Sequence, residues 1–209
     1  MLDAGLSIRD IQRAIGFGAS ELSGALITHE HGDHSKAVHD LTKIGVTCYA
    51  SQGTLDAVRL HTYYGRIVEP LQTYDIGTFK VMPFDVDHDA AEPLGFLIVS
   101  TITGARLLYV TDTFQVRYNF ERITHVMIEC NYLADMVMEN FLDGSMTYGK
   151  RLYANHMELD TVVEFLRNLK DSRLQEVHLL HLSDRNSDEK IMKQAVQEAT
   201  GAAVYVAAK

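Results

Sequence analysis

Residues 29–34 read His29-Glu30-His31-Gly32-Asp33-His34, which places four candidate metal donors within six positions. They follow an apolar run, Ala25-Leu26-Ile27-Thr28, and precede a helix-like stretch over 35–43. A strand that turns tightly into a helix can point several side chains the same way. Neutral imidazole suits zinc and related ions, and a carboxylate can share charge with a second ion. A histidine-rich surface loop would need no such order.

The rest of the chain must supply a scaffold for that turn. Its 209 residues are 46% hydrophobic, enough for one domain over 1–209 with a full core. No run of eighteen apolar residues occurs, so no membrane span is expected, and the first residues lack the pattern of a signal peptide. Cys48 and Cys130 lie far apart without Cys-x-x-Cys spacing and read as free thiols of a cytoplasmic protein. The net charge of -9 argues against a broad nucleic-acid footprint. It leaves an anionic substrate open, because divalent cations reverse the local field.

Periodicity predicts helices over 7–15, 35–43, from the Ser51 cap to about 61, 133–142, 159–170, and 188–199 with Ser187 as cap and Gly201 as stop. Strands are expected at 25–28, 46–50, 66–71, 78–86, 123–129, 176–180 and 202–206, and a hairpin at 95–102 and 106–111. Pro83 suggests an edge or bulge. The early strands read as hairpin-style, with helices interleaved, which implies an α/β layered sandwich. Among the ten histidines, His88 and His181 fall just past predicted strands, as does Asp112. Dispersed residues can converge at strand ends on one edge of a sheet. Taken singly, each is more often structural.

His29-x-His31-x-Asp33-His34 followed by His88, Asp112 and His181 resembles the metallo-β-lactamase superfamily, over nearly the whole chain. The resemblance implies a four-layer αββα sandwich. It implies His29, His31 and His88 on one metal, Asp33, His34 and His181 on the other, and Asp112 bridging both. Gly32 would let the backbone turn tightly enough to face Asp33 and His34 to the second ion. Two divalent cations follow as cofactors, zinc first, with manganese or iron accepted by the same donors.

Asp rather than Cys at the bridge points to hydrolases of phosphodiesters, thioesters and lactones. Glu129, in Ile128-Glu129-Cys130-Asn131, and His156, in Ala154-Asn155-His156-Met157-Glu158, resemble the Glu–His pair of RNase Z-like and YycJ/WalJ-like nucleases. There the His contacts the scissile phosphate or protonates the leaving oxygen, and the Glu holds its other nitrogen. Leu2-Asp3-Ala4-Gly5-Leu6-Ser7, His88-Asp89-Ala90 and His181-Leu182-Ser183 are similar to the YycJ/WalJ-like group, which includes phage-borne versions. Asp3 resembles the residue that braces the metal-binding turn.

That family has an N-terminal strand pair before the Asp3 segment, so the first strands are expected to be missing here, leaving the second sheet incomplete, completed by a partner such as a second copy in a homodimer, or lost by truncation. Tyr132 and Met157-Glu158 depart from the family pattern, and both departures bear on phosphate selectivity. The interval from His88 to Asp112 reads as a hairpin and leaves no room for a long tRNA-gripping arm.

The implied function is a dinuclear phosphodiesterase or nuclease acting on DNA or RNA through a metal-bridging hydroxide. Catalytic roles fall to Asp33, His156 and Glu129. The alternatives are a cyclic-nucleotide phosphodiesterase of the phage anti-Pycsar kind, or a non-catalytic relic. His39, His61, His125 and His178 read as structural or surface residues. Tyr63, Tyr64 and Arg66 could line a substrate mouth or form a surface turn.

Overall fold

The apolar run ahead of the ligand turn forms a short buried strand, β1 (Ala25–Leu26). The computed structural model describes residues 1–61, 63–141, 155–170 and 173–207. The chain divides into two compact units, Met1–Asp85 with Ala90–Gly95, and Val86–Asp89 with Phe96–Lys209.

In the first unit β1 pairs in parallel with β2 (Cys48–Ala50), and β2 with β3 (Gly65–Ile67). The expectation of hairpins here is corrected: each strand returns through a helix, so all three point the same way. The helices are α1 (Ile8–Ala14), α2 (Gly32–Ser35), α3 (Val38–Lys43) and α4 (Gln52–Ala57). Ser7 caps α1 by accepting from Asp10 N, and Ser51 caps α4 by accepting from Thr54 N. Ile11, Ala25, Ile27, Val38, Leu41 and Leu55 share one buried core. Leu6 and Ile15, at near-helical spacing from Ile8 and Ile11, are exposed rather than part of that core.

The single helix expected over 35–43 is instead two. The Ala4 segment is the cause. Ala4 N–H donates to His34 O at 2.6 Å, and Ala37 N–H donates to Ala4 O at 2.9 Å. The chain start thus takes hydrogen bonds that a continuous helix would make internally. A strand that the sequence reading omitted, β4 (Tyr74–Ile76), pairs antiparallel with β5 (Phe79–Asp85) across Gly77-Thr78. Gly77 has φ +57, the left-handed backbone such a two-residue turn needs. Pro83 lies beyond the residues of β5 that pair with β4, and its carbonyl accepts Leu71 N–H.

The second unit is a sheet in the order β10-β9-β8-β7-β6. Its strands are β6 (Leu94–Ser100, whose first two residues belong to the first unit), β7 (Arg106–Val110), β8 (His125–Glu129), β9 (Glu176–Leu180) and β10 (Ala203–Val206). The β6–β7 hairpin is antiparallel as expected, and the pairs from β7 to β10 are parallel. Buried Leu108, Val110, Val126, Ile128, Val177 and Leu179 occupy alternate positions in register and so share one face of the sheet, which packs into the core. The helices are α5 (Ala134–Phe141), α6 (Leu159–Arg167) and α7 (Glu189–Thr200).

The cap of α7 is Asp188, which accepts from Lys190 N and Ile191 N, rather than Ser187, whose hydroxyl donates to Ser183 O. Leu142 of the expected α5 and Ala154 of the His156 motif lie outside the described residues. The fold is mixed α/β, and among the described residues no helix is long and apolar enough to cross a membrane.

Candidate metal centre

In the first unit the ligand turn follows β1 and is held from the chain start. Asp3 accepts from Thr28 N at 2.8 Å, from Thr28 Oγ1 at 3.0 and 3.1 Å, and meets His34 Nδ1 at 2.8 Å. It does so from a left-handed backbone, φ 49. Such a conformation costs a non-glycine residue roughly 1–3 kcal/mol and persists where surrounding bonds enforce it. Thr28 Oγ1 in turn lies 2.9 Å from His29 Nδ1. The Nδ1 atoms of His29 and His34 are therefore both engaged by oxygen, which leaves each Nε2 for a metal. His29 Nε2 sits 3.0 Å from His31 Nδ1, and the His29 and His34 ring centroids are 4.2 Å apart. The Asp33 carboxylate is exposed and lies 3.6 Å from His34 Nε2.

The glycine that this turn depends on is Gly5, not Gly32. A Cβ on Gly32 would meet nothing within 4 Å, whereas one on Gly5 would lie 1.5 Å from Asp33 O. Gly5 lets the backbone that carries Asp3 and Ala4 close onto the turn. Gly5→Ala is expected to destabilise the protein by about 1–3 kcal/mol, the scale of core overpacking, and to weaken metal binding. Gly32→Ala is expected to change stability by less than about 1 kcal/mol. Urea unfolding of both variants with metal titration checks this, and equal effects would contradict it.

In the second unit three adjacent parallel strands deliver their carboxyl ends to one place, as sheets of this kind do around a ligand. Asp112 follows β7, Glu129 ends β8, and His181 follows β9. Asp112 and His181 both have left-handed backbones, φ 33 and φ 55. His181 Nδ1 lies 2.7 Å from Asp112 Oδ1 and 3.1 Å from Glu129 Oε1. His88 Nε2 is 3.7 Å from Asp112 Oδ2, and its Nδ1 is 3.2 Å from Asn155 O. One donor atom from each of Asp112, Glu129, His156 and His181 lies within 4.8 Å of the others.

Glu129 is fully buried and central to this group. Its Oε1 lies 2.6 Å from His156 Nδ1, and its Oε2 accepts Thr113 N at 3.0 Å and Met157 N at 3.2 Å. Asn131 Nδ2 donates to Glu129 Oε1 and to His181 O. Burial alone would lower the His181 pKa. The hydrogen bonds and charges of Asp112 and Glu129 outweigh it and push the value up to about 10. In metal-free protein this contribution to stability is fully present below the ordinary value of 6.5 and is lost as pH rises through about 10.

Imidazole nitrogens and carboxylates with their outer atoms already engaged fit divalent metal ions. Sequence reading assigned no role to Thr28, Asn131, Thr113 or Gly5, of which Thr113, Gly5 and the Asn131 bond to His181 O act through tertiary contacts. Thr28, directly before His29, carried the one local signal. The remaining histidines have other partners: His39 Nε2 with Val58 O, exposed His61 with Asp56 at 3.7 Å, His125 with Thr124, and His178 with Glu176 and the Tyr205 ring. Tyr63 and Tyr64 precede the amino end of β3, opposite the carboxyl end of β1 where the ligand turn begins. Arg66 lies 4.6 Å over the Tyr63 ring, which favours the surface-turn reading.

A family model described as beta-lactamase superfamily domain matches residues 1–179. Exodeoxyribonuclease WalJ of Streptococcus pneumoniae serotype 2 is 26% identical over 202 residues, covering 90% of this chain and 74% of that protein. Exodeoxyribonuclease YycJ of Bacillus anthracis is 23% identical over 211 residues, covering 95% and 79%. Among solved structures, the metallo-beta-lactamase fold protein YhfI from Bacillus subtilis matches with a TM-score of 0.71 at 16% identity, covering 99% of this chain and 83% of that one. Since the family match takes in the braced ligand turn and extends into β9, the chain belongs to the beta-lactamase superfamily.

Proposed function

We propose that the protein is a metal-dependent phosphodiesterase that hydrolyses DNA. On this reading residues 1–209 work as one domain with a dinuclear centre. His29, His31 and His88 hold one ion, Asp33, His34 and His181 hold the other, and Asp112 serves both. Zinc suits these nitrogen and oxygen donors. When bound, such ions supply Lewis acidity and a nucleophilic hydroxide at neutral pH.

The chain's own residues do the rest. Asp33, an exposed carboxylate, accepts a hydrogen bond from the attacking water. His156 directs its Nδ1–H to Glu129; in its imidazolium form it carries a second proton on Nε2, gives that proton to the leaving oxygen and ends as the neutral imidazole. The single observation that carries the phosphodiester reading is the 2.6 Å contact of His156 with buried Glu129, beside Asp112 and His181. The names of the WalJ and YycJ relatives support DNA as the substrate. The free cysteines Cys48 and Cys130 suit a reducing compartment, which supports a cytoplasmic location on this reading.

The net charge of -9 favours a smaller substrate, and the second reading is therefore a cyclic-nucleotide phosphodiesterase. Metal-loaded protein should be offered linear DNA, single-stranded RNA and cyclic mononucleotides. The expected result is release of nucleotides from linear DNA with little turnover of cyclic nucleotides. Cyclic-nucleotide turnover without DNA cleavage would overturn the proposal in favour of the second reading.

A further inference from the structure

A cavity of about 470 Å³ lies between α1 and the start of α3, lined by Ser7, Arg9, Asp10, Arg13, Lys36 and Asp40 among others. Its two walls leave the sheet on the ligand-bearing side. Leu2 bridges Leu26 in parallel, so the Ser7 segment departs beyond the same carboxyl end of β1 from which the ligand turn departs. Lys36 directly follows α2, two positions past His34, and helical rise is only about 1.5 Å per residue.

The carboxylates in this cavity already have cationic partners. Asp10 accepts from Ser7 Oγ at 2.6 Å and pairs with Arg13 at 3.7 Å, and Asp40 pairs with Lys43 at 2.8 Å. Arg9 and Lys36 are exposed and have no carboxylate partner among the described residues. Three cations against two carboxylates is an unusual local balance in a chain of net charge -9.

We infer that this cavity binds a backbone phosphate of the polynucleotide substrate, a few nucleotides from the bond to be cut. The inference rests on the proposed nuclease reading and sharpens it. Guanidinium and ammonium groups in a concave, water-accessible cavity suit a phosphodiester, and a charged groove that follows the backbone is how single strands are gripped. A mononucleotide has no second phosphate to place there. The cavity therefore selects for a chain, and it supplies locally the positive field that the whole protein lacks.

The test is binding of a fluorescently labelled single-stranded phosphorothioate oligodeoxynucleotide, which resists cleavage, to the metal-loaded full chain. Arg9→Ala/Lys36→Ala is expected to weaken binding on the order of tenfold at low salt. It should also make the slope of log affinity against log salt shallower by roughly 0.7 for each phosphate–cation pair removed. Arg9→Lys/Lys36→Arg keeps the charge and is expected to keep the slope, and Lys36→Ala alone reads the effect if the double variant fails to fold. Equal affinity and slope for the wild type and the alanine variants, or no binding by the wild type, would overturn the inference. Turnover of bis(p-nitrophenyl) phosphate by the wild type separately reads the phosphodiesterase proposal, because that substrate carries no neighbouring phosphate.

Discussion

Asp112→Asn is expected to lower hydrolysis by roughly a thousandfold and to reduce metal retention sharply, while the protein stays folded. The scale is that of losing one preorganised electrostatic group in a water-excluded site. Asn fills the same volume and tolerates the left-handed backbone that Asp112 adopts at φ 33, so the change isolates the charge. Asp112 is 4% exposed and faces both His181 at 2.7 Å and His88 at 3.7 Å. Without its charge the His181 pKa should fall from about 10, since one of the two carboxylates that raise it is gone. NMR titration of the metal-free variant reads that change directly. Full metal retention and activity in Asp112→Asn would remove Asp112 from the centre.

The second large effect is expected from Glu129→Ala. This carboxylate, fully buried, meets two imidazoles, two backbone N–H groups and the Asn131 amide. Removing it leaves buried donors unpaired, which typically costs about 3–5 kcal/mol when the missing partner is charged. For a chain of this size that corresponds to a fall in melting temperature of about 10 °C or more. Glu129→Gln keeps the volume and an acceptor oxygen, so it should recover most of the stability. Activity should still fall about 10–100-fold, as for carboxylates that orient functional histidines. On the proposed mechanism Glu129 would position His156, and its loss should shift the pH–rate profile as well as the rate. A Glu129→Gln enzyme with wild-type rate and profile would leave Glu129 a purely structural role.

The legible parts of the molecule were those whose signal is local. The 29–34 turn is contiguous, β9 has the predicted bounds, and the 95–111 hairpin carries its own Gly104 turn. Strand-end placement of Asp112 and His181 followed from apolar runs that stop just before them. What could not be read depends on distant chain. The break between α2 and α3 comes from Ala4, which takes the hydrogen bond of Ala37. The need for Gly5 exists only because Asp33 O lies against it, while Gly32, the obvious candidate by position, stands in open space. The grip of Glu129 on His181 as well as His156 joins three separate segments, and no spacing rule predicts it.

The most direct test of the central claim is the metal content of the purified protein by mass spectrometry of the ions, alongside hydrolysis of linear DNA. Two divalent ions per chain are predicted, with activity lost on chelation and restored on reloading. A chain that cleaves DNA at full rate with its metals removed, or that holds no divalent ion when zinc or manganese is supplied, would contradict the account.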